Sequence, residues 1–221
     1  MKPFLITFIS GITTILGIIP TYFNTKYKYF IIKYSLFFSS IVMFYISIFS
    51  LIPEAINYID YSFYNTILLL IFINIGIIIS SYIDKKLNNI SSNSLYKLGI
   101  TSVIALVLHN IPEGIITFLT SSKDLKLGIS IALAITLHNI PEGISIAIPI
   151  YYSTRNRKTT FIYTFIAGFS EFIGGIISYI FLYRFINNYI LFIILSITAG
   201  IMIHLSLFEL LPNFFKYKKE N

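Results

Sequence analysis

Cysteine is absent from this chain, which removes disulfide frameworks and thiolate metal sites together. Any metal bound here must be held by nitrogen and oxygen ligands. Charge is scarce as well. Asp, Glu, Lys and Arg make up 11% of the 221 residues, while 56% are hydrophobic. Soluble domains carry about 25% charged residues, so a soluble globular fold is excluded and the chain falls in the membrane class. There is no nucleotide-binding motif. The N-terminus lacks a small-residue cleavage site: Met1-Lys2 leads straight into an apolar run, which reads as a first span. No long polar segment interrupts the chain. The longest polar connection covers about 84–97, from Asp84 to Lys97, and reads as a short loop.

What the chain does have is long apolar runs. Seven are close to the roughly 20 residues a helix needs to cross a bilayer. They lie at about 4–23, 31–53, 66–83, 98–119, 127–150, 159–183 and 189–211. The fold class is therefore all-α, a polytopic transmembrane helix bundle. The net charge of +7 follows the topology. One set of alternate connections carries Lys26, Lys28, Lys33, Lys85, Lys86, Lys97, Arg155, Arg157, Lys158, Lys216, Lys218 and Lys219. The other carries only Lys2, Lys123, Lys126 and Arg184. Positive-inside then puts the N-terminus outside and the C-terminal tail in the cytosol, and a nucleic-acid partner is not expected. The scattered Tyr and Phe read as lipid-facing or interfacial residues.

Two repeats stand out. His-Asn-Ile-Pro-Glu-Gly occurs at His109–Gly114 and again at His138–Gly143, 29 residues later and each time in mid-span. The second repeat is fainter: Ser47-Ile48-Phe49-Ser50-Leu51-Ile52-Pro53 in span two echoes Ser206-Leu207-Phe208-Glu209-Leu210-Leu211-Pro212 in span seven. Both pairs lie on spans of opposite direction. Inverted repeats around a mid-membrane site are the pattern of secondary transporters. An axis between spans four and five pairs one with six and two with seven, and would give span three an eighth-span partner that is not read after Pro212.

A carboxylate at a helix centre in hydrocarbon costs roughly 2.5–3.5 kcal/mol. Two imidazole–carboxylate pairs in that setting call for a compensating cation. On a helix, residues i and i+4 share a face, so His109 points with Glu113 and His138 with Glu142; Asn110 and Asn139 lie beside them. Pro112 and Pro141 should kink both helices and free the carbonyls of Leu108 and Leu137. Gly114 and Gly143 would permit close backbone approach. Glu171 in span six lies at similar depth. Three carboxylates there cannot all ionise without cations between them. Two divalent ions bridged by Glu113 and Glu142 would answer that, and the donor set suits Zn(II), Fe(II), Mn(II) or Co(II).

Other polar residues have plainer readings. His204 reads as a packed core histidine, and Glu209 as a snorkelling or interfacial residue near a helix end. Glu54 and Asp60 read as solvated in an exterior loop.

With these residues in view, the sequence resembles the Zrt-/Irt-like (ZIP) metal-transporter family, particularly its bacterial-type branch. The resemblance is strongest from Leu108 to Gly175 and continues through Ala199-Gly200-Ile201-Met202 and Glu209-Leu210-Leu211-Pro212. It implies one transmembrane transporter domain over 1–221. That domain would move a divalent metal (zinc, iron or manganese) into the cytosol with no separate cofactor, from the plasma membrane. One ion would use His109, Glu113, His138 and Glu142. The second would use Asn110, Glu113, Asn139, Glu142 and Glu171. The family also implies an elevator-like movement and eight spans, with monomer and homodimer both open. Ser50 stands where bacterial-type relatives carry Glu, and the 84–97 loop lacks the histidines many of them have. The rival readings are an intramembrane metal-dependent hydrolase and a metal sensor without transport. The His-x-x-x-Glu spacing is not His-Glu-x-x-His, so no metalloprotease signature supports the first.

Overall fold

A computed structural model describes residues 1–23, 27–60, 62–87, 94–182 and 187–217. Among them the chain is helical, with seven helices long and apolar enough to cross a membrane. They run Lys2–Tyr22, Tyr29–Asn57, Phe63–Lys86, Leu95–Lys123, Leu125–Thr154, Arg157–Phe181 and Asn188–Lys216, each within a few residues of its sequence-read span. Lys26, Arg184, Lys218 and Lys219, and the middle of the polar connection (88–93), lie outside the described residues.

Most spans are composite. Helix α1 (Lys2–Ile12) tightens into a 3-10 stretch, Thr13–Tyr22. Span two is α2 (Lys28–Ile46), a π-helical turn at Ser47–Leu51 and the short α3 (Ile52–Asn57). Helix α4 covers Phe63–Leu87. Helices α5 (Ser94–Lys123) and α6 (Leu125–Thr154) follow, joined through Asp124, whose carboxylate caps α6 by accepting from the Lys126 and Leu127 amides. Helix α7 (Arg157–Ile177) ends in a π turn, Ser178–Leu182. Span seven is α8 (Asn188–His204), a π turn at Leu205–Leu210, and α9 (Leu211–Lys216).

The fainter sequence repeat is thus a repeat of structure. In spans two and seven the π turn immediately precedes a proline in the first turn of the next helix, Pro53 or Pro212. Proline lacks an N–H, so the carbonyls of Phe49 and Phe208 have lost their α-helical donors. A wider turn accommodates the break. Pro112 and Pro141 are handled otherwise: α5 and α6 continue as α-helix through both.

Backbone contact at glycine sets which helices lie together, as expected where lipid offers no hydrophobic drive for helix association. A Cβ on Gly114 would fall 1.8 Å from the Glu171 carbonyl oxygen, and one on Gly143 would fall 1.8 Å from that of Thr14. Each hexapeptide glycine therefore locks its helix onto a different neighbour, α5 onto α7 and α6 onto span one. Gly76 and Gly200 do the same for α4 and α8. At the α6–α7 connection, Arg155 adopts a left-handed φ of 55°. Its guanidinium lies 5.0 Å from the Tyr152 ring, and that of Arg157 lies 4.3 Å from the Tyr22 ring.

Candidate metal site

Helices α5 and α6 each present His, Asn and Glu to the same buried volume. His109, Asn110, Asn139, Glu142 and Glu171 are fully buried, and Glu113 and His138 nearly so. The two hexapeptides interlock. His109 Nε2 lies 3.0 Å from Glu142 Oε1, and His138 Nε2 lies 3.3 Å from Glu113 Oε1. Each imidazole therefore faces the carboxylate of the other copy. One ligand atom each from His109, Glu113 and Glu142 falls within 4.8 Å of the others, a spacing that can hold a metal ion.

The asparagine amides are oriented by their partners. Asn110 Nδ2 donates to the Ala167 carbonyl at 2.9 Å, and Asn139 Nδ2 to the Ser10 carbonyl at 2.8 Å. With the nitrogens committed to carbonyls, the Oδ1 atoms are left as acceptors. Both lack a hydrogen-bond partner. The same holds for both oxygens of Glu113 and of Glu142, for both His109 ring nitrogens and for His138 Nε2, since the close His–Glu pairs lack hydrogen-bond geometry. Buried polar atoms are ordinarily paired, because burying them unpaired costs free energy. So dense a cluster of unpaired acceptors fits a cation. Glu171 differs: Oε1 accepts from the Ser10 hydroxyl and Oε2 from Asn139 Nδ2 at 2.9 Å.

A cavity of about 260 Å³ opens onto this cluster. Glu113 and His138 form its floor, and Ser50, Glu54, Ser130 and Leu195 its walls. It approaches from the α5–α6 connection. Toward the opposite ends of the same two helices, Leu98, Leu106, Ile146 and Ile150 are fully buried.

Residues 85–221 match the family model of the ZIP zinc transporters. This chain belongs to the ZIP zinc transporter family. The ZIP match takes in both hexapeptides and Glu171. Among relatives, the chain is similar to the zinc transporter ZupT of Clostridium perfringens, at 45% identity over 129 residues (58% of this chain, 45% of the relative). It is 50% identical to ZupT of Oceanobacillus iheyensis over 123 residues (56% and 46%) and 44% identical to ZupT of Campylobacter jejuni over 135 (61% and 46%). The chain spans about half the length of the curated relatives it matches.

Within this ZIP framework, sequence reasoning missed a third repeat. Gly11-Ile12-Thr13-Thr14-Ile15-Leu16-Gly17 in span one matches Gly168-Phe169-Ser170-Glu171-Phe172-Ile173-Gly174 in span six at both glycines and at a hydroxyl residue between them. Gly11 and Gly168 meet backbone to backbone, each Cβ position 2.4 Å from the other's carbonyl oxygen. Ser10 and Ala167, the residues before them, hold the two asparagines. Only the spacing of small residues could have signalled this.

Two readings need correction. Glu54 is part of α3, is half-buried and lines the cavity, because the chain stays helical past Pro53. Glu209 is buried within its π turn. It faces Asp84, which pairs with Lys97 at 3.2 Å. His204 is a packed core residue: its Nδ1 lies 2.9 Å from the Ser80 hydroxyl and its ring stacks on Phe208.

Proposed function

We propose that this chain carries divalent transition-metal ions, zinc and iron foremost and manganese as a further cargo, across the membrane into the cytosol. The observation that carries this reading is the interlocked, buried set of unpaired nitrogen and oxygen acceptors at the end of a cavity. His109, Glu113, His138 and Glu142 would hold one ion. Asn110 Oδ1 and Asn139 Oδ1, with the second oxygens of Glu113 and Glu142, would offer a second position, with Glu171 beside it. Carboxylates shared by two ions give moderate affinity at each, as transport requires.

The charge asymmetry supports an orientation with the α5–α6 connection outside and the α6–α7 connection, with Arg155, Arg157 and Lys158, in the cytosol. On that reading the cavity faces outward, and Glu54 on its wall draws cations in. The membrane proposed for the chain is the plasma membrane, across which the metal would enter the cytosol; the charge asymmetry itself gives orientation only. With no nucleotide motif in the chain, the driving force is the metal gradient and the membrane potential. The potential is worth about 4.6 kcal/mol for a doubly charged ion at 100 mV. ZIP membership favours transport over an intramembrane hydrolase, and the near-symmetric cluster offers no carboxylate set apart as a general base.

The test is uptake of Zn(II), Fe(II) and Mn(II) into proteoliposomes, with Glu142→Ala alongside. Saturable uptake lost in the variant is the expected result. Metal binding by the wild-type chain without flux would leave a binding protein and sink the transport reading.

A further inference from the structure

Helix α4 presents an amide to the lipid. Asn74 lies at the middle of span three, Phe63–Lys86, and is exposed on the outside of the bundle. The inner face of α4 is taken by α8, where Gly76 and Gly200 bring the two backbones together. Asn74 Nδ2 donates one hydrogen to the Leu70 carbonyl at 2.8 Å. Its other N–H and its Oδ1 oxygen have no partner among the described residues. Hydrocarbon offers no water to take them, and polar side chains at that depth serve to join helices.

The residues around Asn74 repeat with the period of a coiled coil. Ile67, Ile71, Asn74 and Ile78 are spaced four, three and four apart, and Leu70 and Ile75 flank them along a shallow groove. All six are exposed. A repeat of 3.5 residues is the seam of helices that wrap on one another, and a single asparagine within it fixes their register. In water such an asparagine costs stability. Between lipid tails the isoleucines gain nothing from leaving their solvent, so the amide supplies the specific attraction.

Symmetry identifies the occupant. Two copies inserted in one orientation place every residue at the depth of its counterpart, so a twofold axis along the membrane normal sets Asn74 against Asn74. Each amide then has one N–H to give and one oxygen to receive. Two reciprocal hydrogen bonds satisfy both. A helix of different sequence would need its own amide at that depth and register. The axis within the chain leaves this face open as well. It pairs span three with an eighth and span seven with two, so the α4–α8 contact maps onto an eighth span lying against span two, away from Asn74.

We propose that the outer face of α4 is a self-association surface, on which two copies of this chain pair through reciprocal Asn74 amides set in an isoleucine seam. The pairing rests on the membrane setting of α4 and is independent of the metal reading.

The test uses the full chain, whose lack of cysteine gives a clean background for crosslinking. Ile71→Cys and Ile78→Cys on the seam, and Phe49→Cys and Ile166→Cys on other exposed faces, are oxidised to disulfides with iodine in native membranes. The two seam variants should form dimers and the other two should not. Single-molecule photobleaching in liposomes, over a dilution series, then gives the affinity of the wild-type dimer. Asn74→Leu should weaken association about threefold to thirtyfold, the range of interhelical hydrogen bonds within membranes. Asn74→Gln keeps the amide and should stay closer to wild type. A monomeric wild type overturns the proposal, as does an Asn74→Leu dimer as tight as wild type. Dimers crosslinked through Phe49→Cys or Ile166→Cys in place of the seam also overturn it. Seam adducts with a protein of another mass, without the dimer, would mean that a different partner covers α4, and the proposal would fall.

Discussion

The imidazole of His109 faces the carboxylate of Glu142 at 3.0 Å, across the boundary between two copies of one hexapeptide. The mirror-related pair, His138 and Glu113, repeats the relationship at 3.3 Å. A cluster built from cross-pairs cannot be halved, because each helix holds side chains whose partners lie on the other.

The first expected outcome follows from that interdependence. His109→Ala and Glu142→Ala should each weaken Zn(II) binding by at least about tenfold to a hundredfold, the range seen when the surroundings of a metal site are disturbed. The double variant should lose little more than the worse single one, because groups that act on one ion are not additive. Isothermal titration of the four proteins checks this. Independent, additive losses would mean that the two residues serve different ions.

A second outcome concerns the glycines that bring the helices together. Gly114→Ala places a Cβ 1.8 Å from the Glu171 carbonyl oxygen, an obstacle of backbone that cannot step aside. Gly99→Ala meets chiefly the Ile150 side chain, at 2.6 and 2.7 Å, which can turn, with the Ile150 backbone nitrogen farther off at 3.2 Å. Overpacking of a well-packed contact costs about 1–3 kcal/mol or more. Thermal unfolding in detergent should therefore show a marked drop for Gly114→Ala and a small one for Gly99→Ala. Equal drops would argue that α5 and α7 do not meet at Gly114.

A third outcome tests orientation. The absence of cysteine makes the natural chain a ready background for single-cysteine labelling. Lys126 and Lys158 are exposed at the two connections that flank α6. A membrane-impermeant maleimide applied to intact cells should modify Lys126→Cys and reach Lys158→Cys only after permeabilisation. The reverse pattern would invert the topology and make the cavity face the cytosol.

Much of this architecture could be read along the chain, and the reasons are particular. Seven spans were visible because a bilayer demands about 20 apolar residues per crossing whatever the fold. The candidate ligands stood out because ionisable groups in mid-span need a purpose. Glu54 and Glu209 were misjudged for a common reason: each lies near a proline that suggested a helix end. The π turns at Ser47–Leu51 and Leu205–Leu210 instead keep both spans helical around Pro53 and Pro212, leaving Glu54 half-buried on the cavity wall and Glu209 buried. The third repeat escaped notice because its shared residues are small, and small residues signal a contact only once the partner helix is known.

The amino-acid sequence by itself determined the membrane setting, the all-helical class, the nitrogen-and-oxygen character of any metal site and the His, Asn and Glu residues proposed for it. Hydropathy, composition and i,i+4 spacing are local properties, and each survives without knowledge of the fold. Only the tertiary structure decided that each histidine faces the other copy's glutamate, that Glu171 is already satisfied by Ser10 and Asn139, and that a cavity from Glu54 ends at Glu113 and His138. Those are relations between helices. They depend on where glycine lets one backbone touch another, and no single span encodes its neighbour.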